Sequence, residues 1–290
     1  MIELDGFPEL VDPILIAAFE GWNDAGDAAT AAVEHLEELW PTTPLGALES
    51  EDYYDYQVNR PMVRLDDEGR RFITWPSTRL SYARLPDVGR DVVLVRGIEP
   101  SMRWQSFAAE LLECCRELGV EMVVTLGALL ADSPHTRPVP VSGTSSDEGV
   151  ARALHLEPSR YEGPTGIVGV INDACGKAGI PALSIWAAVP HYVAQPPCPK
   201  ATLALLGQLE DLLEVSIPLG DLPEDARAWE RGVDELAEED EDIADYVRSL
   251  EETRDTTDLP EASGEAIARE FERYLKRRGD GGSAGTGGLS

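Results

Sequence analysis

Five short apolar runs constrain the fold of this 290-residue chain more than any other feature of its sequence. The runs are continuous rather than alternating, which is typical of strands that are buried on both faces of a sheet. Helical patterns follow most of them, and strands alternating with helices predict a mostly parallel or mixed sheet. We therefore expect a three-layer α/β/α core. The five predicted strands are residues 14–18, 92–95, 122–126, 167–171 and 183–189.

Three helical segments are predicted between these strands. Residues 28–39 and 104–118 carry apolar stripes at helical spacing, and Ser101 is a suitable N-cap for the second. Residues 172–178 form a third, short helix that ends before Gly179. Residues 48–85 differ, because β-forming residues there surround a turn at 67–69, so we predict an antiparallel meander that extends or flanks the sheet. Its predicted strands are residues 53–58, 62–65, 71–75 and 80–85.

The composition changes near residue 219. Residues 209–272 contain 23 Asp and Glu against 5 Lys and Arg, while apolar residues recur at steps of four and three. Asp240 takes an apolar position of that pattern inside the acidic run 238–242, so a helix is expected to break there. A second helix is predicted over residues 265–276. We expect an α/β core domain over residues 1–219, an acidic helical extension over 220–277 and a flexible tail over 278–290.

Charge and apolar content limit the possible partners. The net charge of −30 argues against nucleic acid and anionic membranes, because both repel an acidic protein. Neither a run of about 18 apolar residues nor a signal peptide is recognisable, so a cytoplasmic location is expected. The four cysteines lack metal-ligand spacing and are expected to be buried thiols. We expect neither a metal site nor a cofactor.

Polar residues follow the predicted strands and form the candidate site. In open parallel sheets, ligands bind outside the carboxyl ends of the strands, so side chains that follow different strands are expected to line one crevice. None of them completes a motif that identifies a reaction. The candidates are Glu20, Trp22, Asn23, Asp24, Arg96, Glu99, Gly127, His135, His191 and Tyr192.

The turn after the first strand has the glycine frame of a phosphate loop, with Gly21 and Gly26 at the required spacing. Asp27 and Ala28 stand where such a loop needs Lys and Ser or Thr, and nearby carboxylates would repel phosphate. Two interpretations stay open. Asn23 or Asp24 caps the following helix with Asp27 in its first turn, or the turn binds a cation, an amine or a sugar hydroxyl.

Two other candidates, Arg96 and His191, also allow two interpretations each, and His135 completes no known motif. Arg96 either clamps an anion or forms an internal ion pair, for which Glu99 is the nearby carboxylate. His191 is either a general base or a residue that fixes its loop by a hydrogen bond. His135 lies close to a serine in sequence, but no GxSxG elbow surrounds that serine.

Four sequence segments together resemble the actinobacterial branch of the proteasome-assembly-chaperone-2 family. They are GWNDAGDAA at residues 21–29, RG-x-EPS at 96–101, TLG at 125–127 and SIWAAVPHYVAQPPCPKA at 184–201. The resemblance spans about the first 215 residues. It implies an α/β core similar to nucleoside phosphorylases, no catalytic residues, and binding of proteasome subunits as an assembly chaperone.

The resemblance also implies self-association, for which we expect a trimer. The family's chaperones dock through a C-terminal hydrophobic–Tyr–any-residue tail, whereas residues 288–290 are Gly-Leu-Ser, so any proteasome contact is expected to use another surface. We therefore expect a non-enzymatic assembly factor. The alternative is a nucleoside-like binding protein, hydrolase or phosphorylase that uses Glu20, Asn23, Arg96 and His191.

Overall fold

A seven-stranded mixed sheet forms the centre of the molecule in the computed structural model, which describes residues 8–48, 51–156, 159 and 161–257. The sheet order is β2-β5-β6-β1-β7-β9-β8, and β3 pairs with β4 in a separate hairpin. In chain order the strands are β1 Ile14–Glu20, β2 Thr43–Leu48, β3 Met62–Leu65, β4 Arg71–Thr74, β5 Thr78–Leu85, β6 Arg90–Ile98, β7 Met122–Ala131, β8 Val141–Thr144 and β9 Ala182–Pro190.

Four neighbouring strands, β6, β1, β7 and β9, are parallel, and their registers place Ile16 beside both Leu94 and Val124. Helices pack on both faces, which confirms the three-layer α/β prediction. One apolar cluster lies under α1 and α5, and the other lies under α2 and α4. In chain order the helices are α1 Ala28–Leu39, α2 Trp104–Glu117, α3 Glu148–Ala153, α4 Ile167–Ala178, α5 Pro199–Leu213, α6 Leu222–Glu239 and α7 Glu241–Thr257.

The predicted strand at 167–171 is wrong, because those residues are the first half of α4. A short apolar run fits a buried strand or a buried helix equally well by periodicity. Here the buried residues are Ile167, Val168, Ile171 and Cys175, which lie on one face of a helix. The predicted helix at 172–178 is its second half, and the chain leaves it at Gly179 with the expected positive φ of 70°.

The region 48–85 is a meander only in part. The hairpin β3–β4 and strand β5 confirm three of its predicted strands, but residues 53–58 form turns. Tyr53 and Tyr54 are buried there as anchors rather than as strand residues. The Tyr53 ring meets Phe107 edge-on at 5.2 Å, and the Tyr54 hydroxyl donates to the carbonyl oxygen of Ile98 at 2.9 Å.

Two smaller expectations also fail. Strand β2 was not predicted, because it contains Pro44 and Gly46 around an irregular register; an edge strand tolerates proline. Ser101 does not cap α2. The N-cap is Arg103 in a left-handed conformation, and the Ser101 hydroxyl instead accepts a hydrogen bond from Asn59 at 3.1 Å.

The acidic helices break where the sequence predicted. Helix α6 ends at Glu239 and α7 begins at Glu241, and the Asp240 carboxylate accepts hydrogen bonds from the backbone of Asp242 and Ile243. Helix α6 packs on the core through its buried side chains Ala226, Val233 and Ala237. The predicted helix at 265–276 and the tail at 278–290 lie outside the described residues. The domain boundary at 219 stays a prediction.

No helix in the described ranges combines the length and apolar content that a membrane span requires.

Candidate functional site

The turn that follows β1 is built around the buried carboxylate of Asp24, which is only 4% exposed. It accepts hydrogen bonds from the backbone N–H of Ala29 at 2.6 Å and of Thr30 at 3.2 Å, and from the Thr30 hydroxyl. Burial raises the pKa of Asp24 from its ordinary 3.8 to about 6, although these hydrogen bonds act in the opposite direction. Of the two proposed caps for α1, the structure selects Asp24.

Glycine is required inside the same turn. Gly26 has a φ of +64°, and a Cβ on it would lie 2.6 Å from the Cβ of Cys198. Asp27 follows with a left-handed backbone, makes no side-chain cap and stays exposed. The turn therefore places the start of α1 directly against the loop that begins α5.

Asn23 and Glu99 join three segments of the core. A Glu99 carboxylate oxygen accepts from the Asn23 side-chain amide at 2.6 Å and from the backbone N–H of Ile167 at 2.8 Å. The second contact caps α4, because the N–H of Ile167 has no partner within the helix. Asn23 is 1% exposed, its Oδ1 has no hydrogen-bond partner among the described residues, and a Cβ on Gly166 would overlap that oxygen. The pair fixes the relative positions of β1, β6 and α4.

Arg96 forms an internal ion pair, but its partners are on α1 and not Glu99. Its guanidinium contacts Glu34 at 2.9 Å and Glu37 at 2.8 Å. Glu20 belongs to the same face of the sheet, where burial raises its pKa and the charge of Arg96 opposes that change. With two carboxylates bound, Arg96 is not available as an anion clamp in this conformation.

His135 lies at the core of a second polar cluster, where α6 covers the ends of β7 and β9. Its Nε2 contacts Asp234 at 2.9 Å, and its Nδ1 contacts the Tyr192 hydroxyl at 2.7 Å. Because an ionised carboxylate only accepts, Nε2 carries the proton in this contact. Burial raises the pKa of Tyr192 to about 12, so its hydroxyl keeps its proton at neutral pH. His135 itself is buried at 2% exposure.

Basic groups of the core meet acidic groups of the helices around this cluster. Lys200 donates to Glu230 at 3.0 Å and to the carbonyl oxygen of His135. Arg137 binds Asp255 through two hydrogen bonds of 2.8 and 2.9 Å. The acidic helices are thus held on the core by charge pairing as well as by apolar packing.

His191 is at the edge of this interface. Its Nδ1 is 3.4 Å from Asp132, which also accepts from the Tyr246 hydroxyl of α7 at 3.0 Å. The ring packs edge-on against Tyr246, with centroids 5.3 Å apart. These contacts agree with the interpretation in which His191 fixes its loop.

The two remaining candidates are Trp22 and Gly127. The Trp22 side chain is 64% exposed. A Cβ on Gly127 would lie 2.6 Å from the ring of Trp186, so the glycine makes room for that side chain. The Trp186 indole in turn donates to Ser184 at 2.8 Å.

Apart from Trp22 and Gly127, the sequence-predicted residues therefore lie in separate sets: Asp24 at the start of α1, Asn23 with Glu99, Arg96 on the same sheet face as Glu20, and His135 with Tyr192 and His191. Asp24, Arg96, Glu99 and His135 each bind other groups of the protein. Across the described ranges, no three His, Cys, Asp or Glu side chains are grouped as metal ligands. Sequence reasoning missed the partners on α1, α5, α6 and α7, and only the i, i+3 spacing of Glu34 and Glu37 on one helix face signalled a shared cation.

Comparison with known proteins finds relatives of one family. A PAC2 family protein from Streptomyces avermitilis is 65% identical, with a TM-score of 0.78, and the match covers 81% of this chain and 100% of that one. A proteasome-assembly chaperone homologue from Mycobacterium tuberculosis is 56% identical, with a TM-score of 0.74, and covers 81% of this chain and 99% of its own. No match was found among curated proteins.

An archaeal proteasome activator from Pyrococcus furiosus shares the fold at 18% identity and a TM-score of 0.66, over 81% of this chain and 98% of that one. The model of the PAC2 family matches residues 18–237, which include the capped turn, the Asn23–Glu99 pair and most of α6. This chain belongs to the PAC2 family.

Proposed function

We propose that this chain is a non-enzymatic, self-associating assembly factor of the cytoplasm that binds proteasome subunits. The observation that carries the proposal is its family membership, together with the 56% identical proteasome-assembly chaperone homologue of M. tuberculosis. The geometry of the strand ends supports it. Arg96, Asn23, Glu99 and His135 make contacts that hold the fold together, as expected of a scaffold rather than of a catalytic crevice.

The acidic helices offer the surface that such binding would use. Glu238, Glu239 and Glu241 lie at the junction of α6 and α7, and all three are exposed. A concentrated negative surface attracts a basic partner and accelerates encounter, and both effects weaken with salt. We therefore place the contact with proteasome subunits on the outer face of α6 and α7.

Binding of the purified chain to proteasome α-subunits tests this proposal directly. The affinity of the wild type is expected to decrease when NaCl is raised from 50 to 300 mM, because the Debye length shortens from roughly 14 Å to roughly 6 Å. Replacing Glu238, Glu239 and Glu241 by Gln is expected to weaken binding severalfold. The matched control replaces three exposed acids elsewhere, in Asp87→Asn, Glu121→Gln and Glu162→Gln, and removes the same charge.

The control variant is expected to bind as the wild type does, because none of its three charges belongs to α6 or α7. Absence of wild-type binding to α-subunits, together with no enrichment of proteasome in a pull-down from cells, would overturn the proposal. If both triple variants bind α-subunits equally weakly, the loss of net charge explains the effect. The proposal that α6 and α7 form the interface would then be wrong.

A further inference from the structure

The hairpin formed by β3 and β4 carries a cluster of exposed large apolar side chains. All eight strand residues are exposed, and each strand pairs only with the other within the described sheets. A lone two-stranded hairpin is marginally stable in water, and a contiguous exposed apolar patch marks an interaction site. The exposed apolar side chains are Met62, Val63, Leu65, Phe72, Ile73 and Trp75.

Apolar side chains occupy both faces of the hairpin. Val63 is paired with Ile73 on one face, and Phe72 lies on the other face opposite Arg64. The hairpin contacts the rest of the chain through Trp75, whose ring packs on Tyr56 at 4.8 Å. A hairpin that is apolar on both faces can bury only one face against the core of its own chain. Both faces can be buried when the hairpin inserts between surfaces of a partner.

The charge of the hairpin is unusual for this molecule. Residues 60–71 carry four arginines and three acids, whereas the whole chain carries 24 basic and 54 acidic residues. Arg70 binds Asp66 and Glu68 within the turn. Arg60, Arg64 and Arg71 form no ion pair with a described residue. The hairpin therefore presents unpaired cations beside apolar side chains, and it fits a partner that is acidic.

A second copy of this chain is such a partner. Two molecules of net charge −30 repel each other unless their contact joins positive groups of one to negative groups of the other. The hairpin sets the exposed Arg60, Arg64 and Arg71 beside its exposed apolar side chains, so this one surface offers both charge attraction and apolar contact. Hairpin-to-hairpin contact would place arginine against arginine, so the favourable contact is head-to-tail, from a hairpin to an acidic face of the next copy.

We infer that the β3–β4 hairpin is the interface through which copies of this chain associate head-to-tail. The inference deepens the self-association in the proposed function but does not depend on proteasome binding. Its test uses the purified chain alone, so the two proposals can fail separately.

Sedimentation of the full chain over a range of concentrations tests the inference. The wild type is expected to be larger than the 31.5 kDa monomer. Val63→Asp is expected to weaken association by about 100-fold or more, because it places a carboxylate in an apolar contact. Its matched control is Val11→Asp, since both valines are 53% exposed. Arg71→Glu is expected to act in the same direction, with Arg152→Glu, an 80% exposed side chain, as its control.

The controls are expected to sediment as the wild type does, and far-UV circular dichroism checks that every variant is folded. A wild type that is monomeric at its highest soluble concentration would overturn the inference. An oligomer that Val63→Asp and Arg71→Glu both leave intact would overturn it equally. If these variants instead lose α-subunit binding while the oligomer persists, the hairpin is a site for the proteasome and not for a second copy.

Discussion

Replacing Glu99 by Ala tests whether the contact among β1, β6 and α4 stabilises the core. The substitution removes the acceptor of the Ile167 backbone N–H, which as a helix cap is worth about 1 kcal/mol. It also removes the Glu99 carboxylate that accepts from the buried amide of Asn23, and leaving that amide unpaired costs about 1–3 kcal/mol. We therefore expect the free energy of unfolding to fall by about 2–4 kcal/mol.

The two contributions separate in a double-mutant cycle with Asn23→Ala. In that background the amide is already absent, so Glu99→Ala should cost only the cap, about 1 kcal/mol. The expected interaction energy is thus about 1–3 kcal/mol. Urea unfolding followed by tryptophan fluorescence, at one fixed protein concentration because association shifts apparent stability, measures all four proteins.

Glu113→Ala is the control, since Glu113 is 64% exposed and pairs with Arg116 only at the surface of α2. An exposed pair of this kind is worth about 0.5 kcal/mol. The reasoning is refuted if the costs of Glu99→Ala and Asn23→Ala add to within about 0.5 kcal/mol, because the hydrogen bond between them would then contribute nothing measurable.

Three further predictions concern packing, pH and thiol reactivity. Gly127→Ala should lower the free energy of unfolding by about 1–3 kcal/mol, because its Cβ would overlap the Trp186 ring. Gly232→Ala, with open space in the interior of α6, should raise it by up to about 1 kcal/mol, and urea unfolding of both tests the sign. The folded state holds the Asp24 proton more tightly than the unfolded state, so this stabilisation is present below about pH 4 and is lost as pH rises through 6. Relative to Asp24→Asn, the wild type should lose about 2 kcal/mol between pH 4 and 7, and a pH-independent difference would contradict this. The four buried cysteines should not react with a thiol reagent at pH 8 until urea is added, since burial raises their pKa values; rapid labelling of the native protein would contradict it.

The sequence predicted the elements whose signal is local. Continuous apolar runs identified four parallel strands, because burial on both faces imposes that pattern whatever the neighbours are. Asp24 and Asp240 were recognised because a cap and a helix break depend on residues within one turn. The misassigned run at 167–171 marks the limit of this reasoning, since a run of that length is also compatible with one face of a buried helix.

The sequence by itself therefore determined the layered α/β core and the acidic helices that break at Asp240, and it named Asp24 as one of two possible caps in the turn after β1. Only the tertiary structure decided what the strand-end side chains do. Arg96 pairs with Glu34 and Glu37, about 60 residues earlier in the chain, and His135 meets Asp234, 99 residues later. Spacing along a chain fixes which way a side chain points from its own element. Which charge it meets depends on the packing of distant elements, and that packing is set by the whole core.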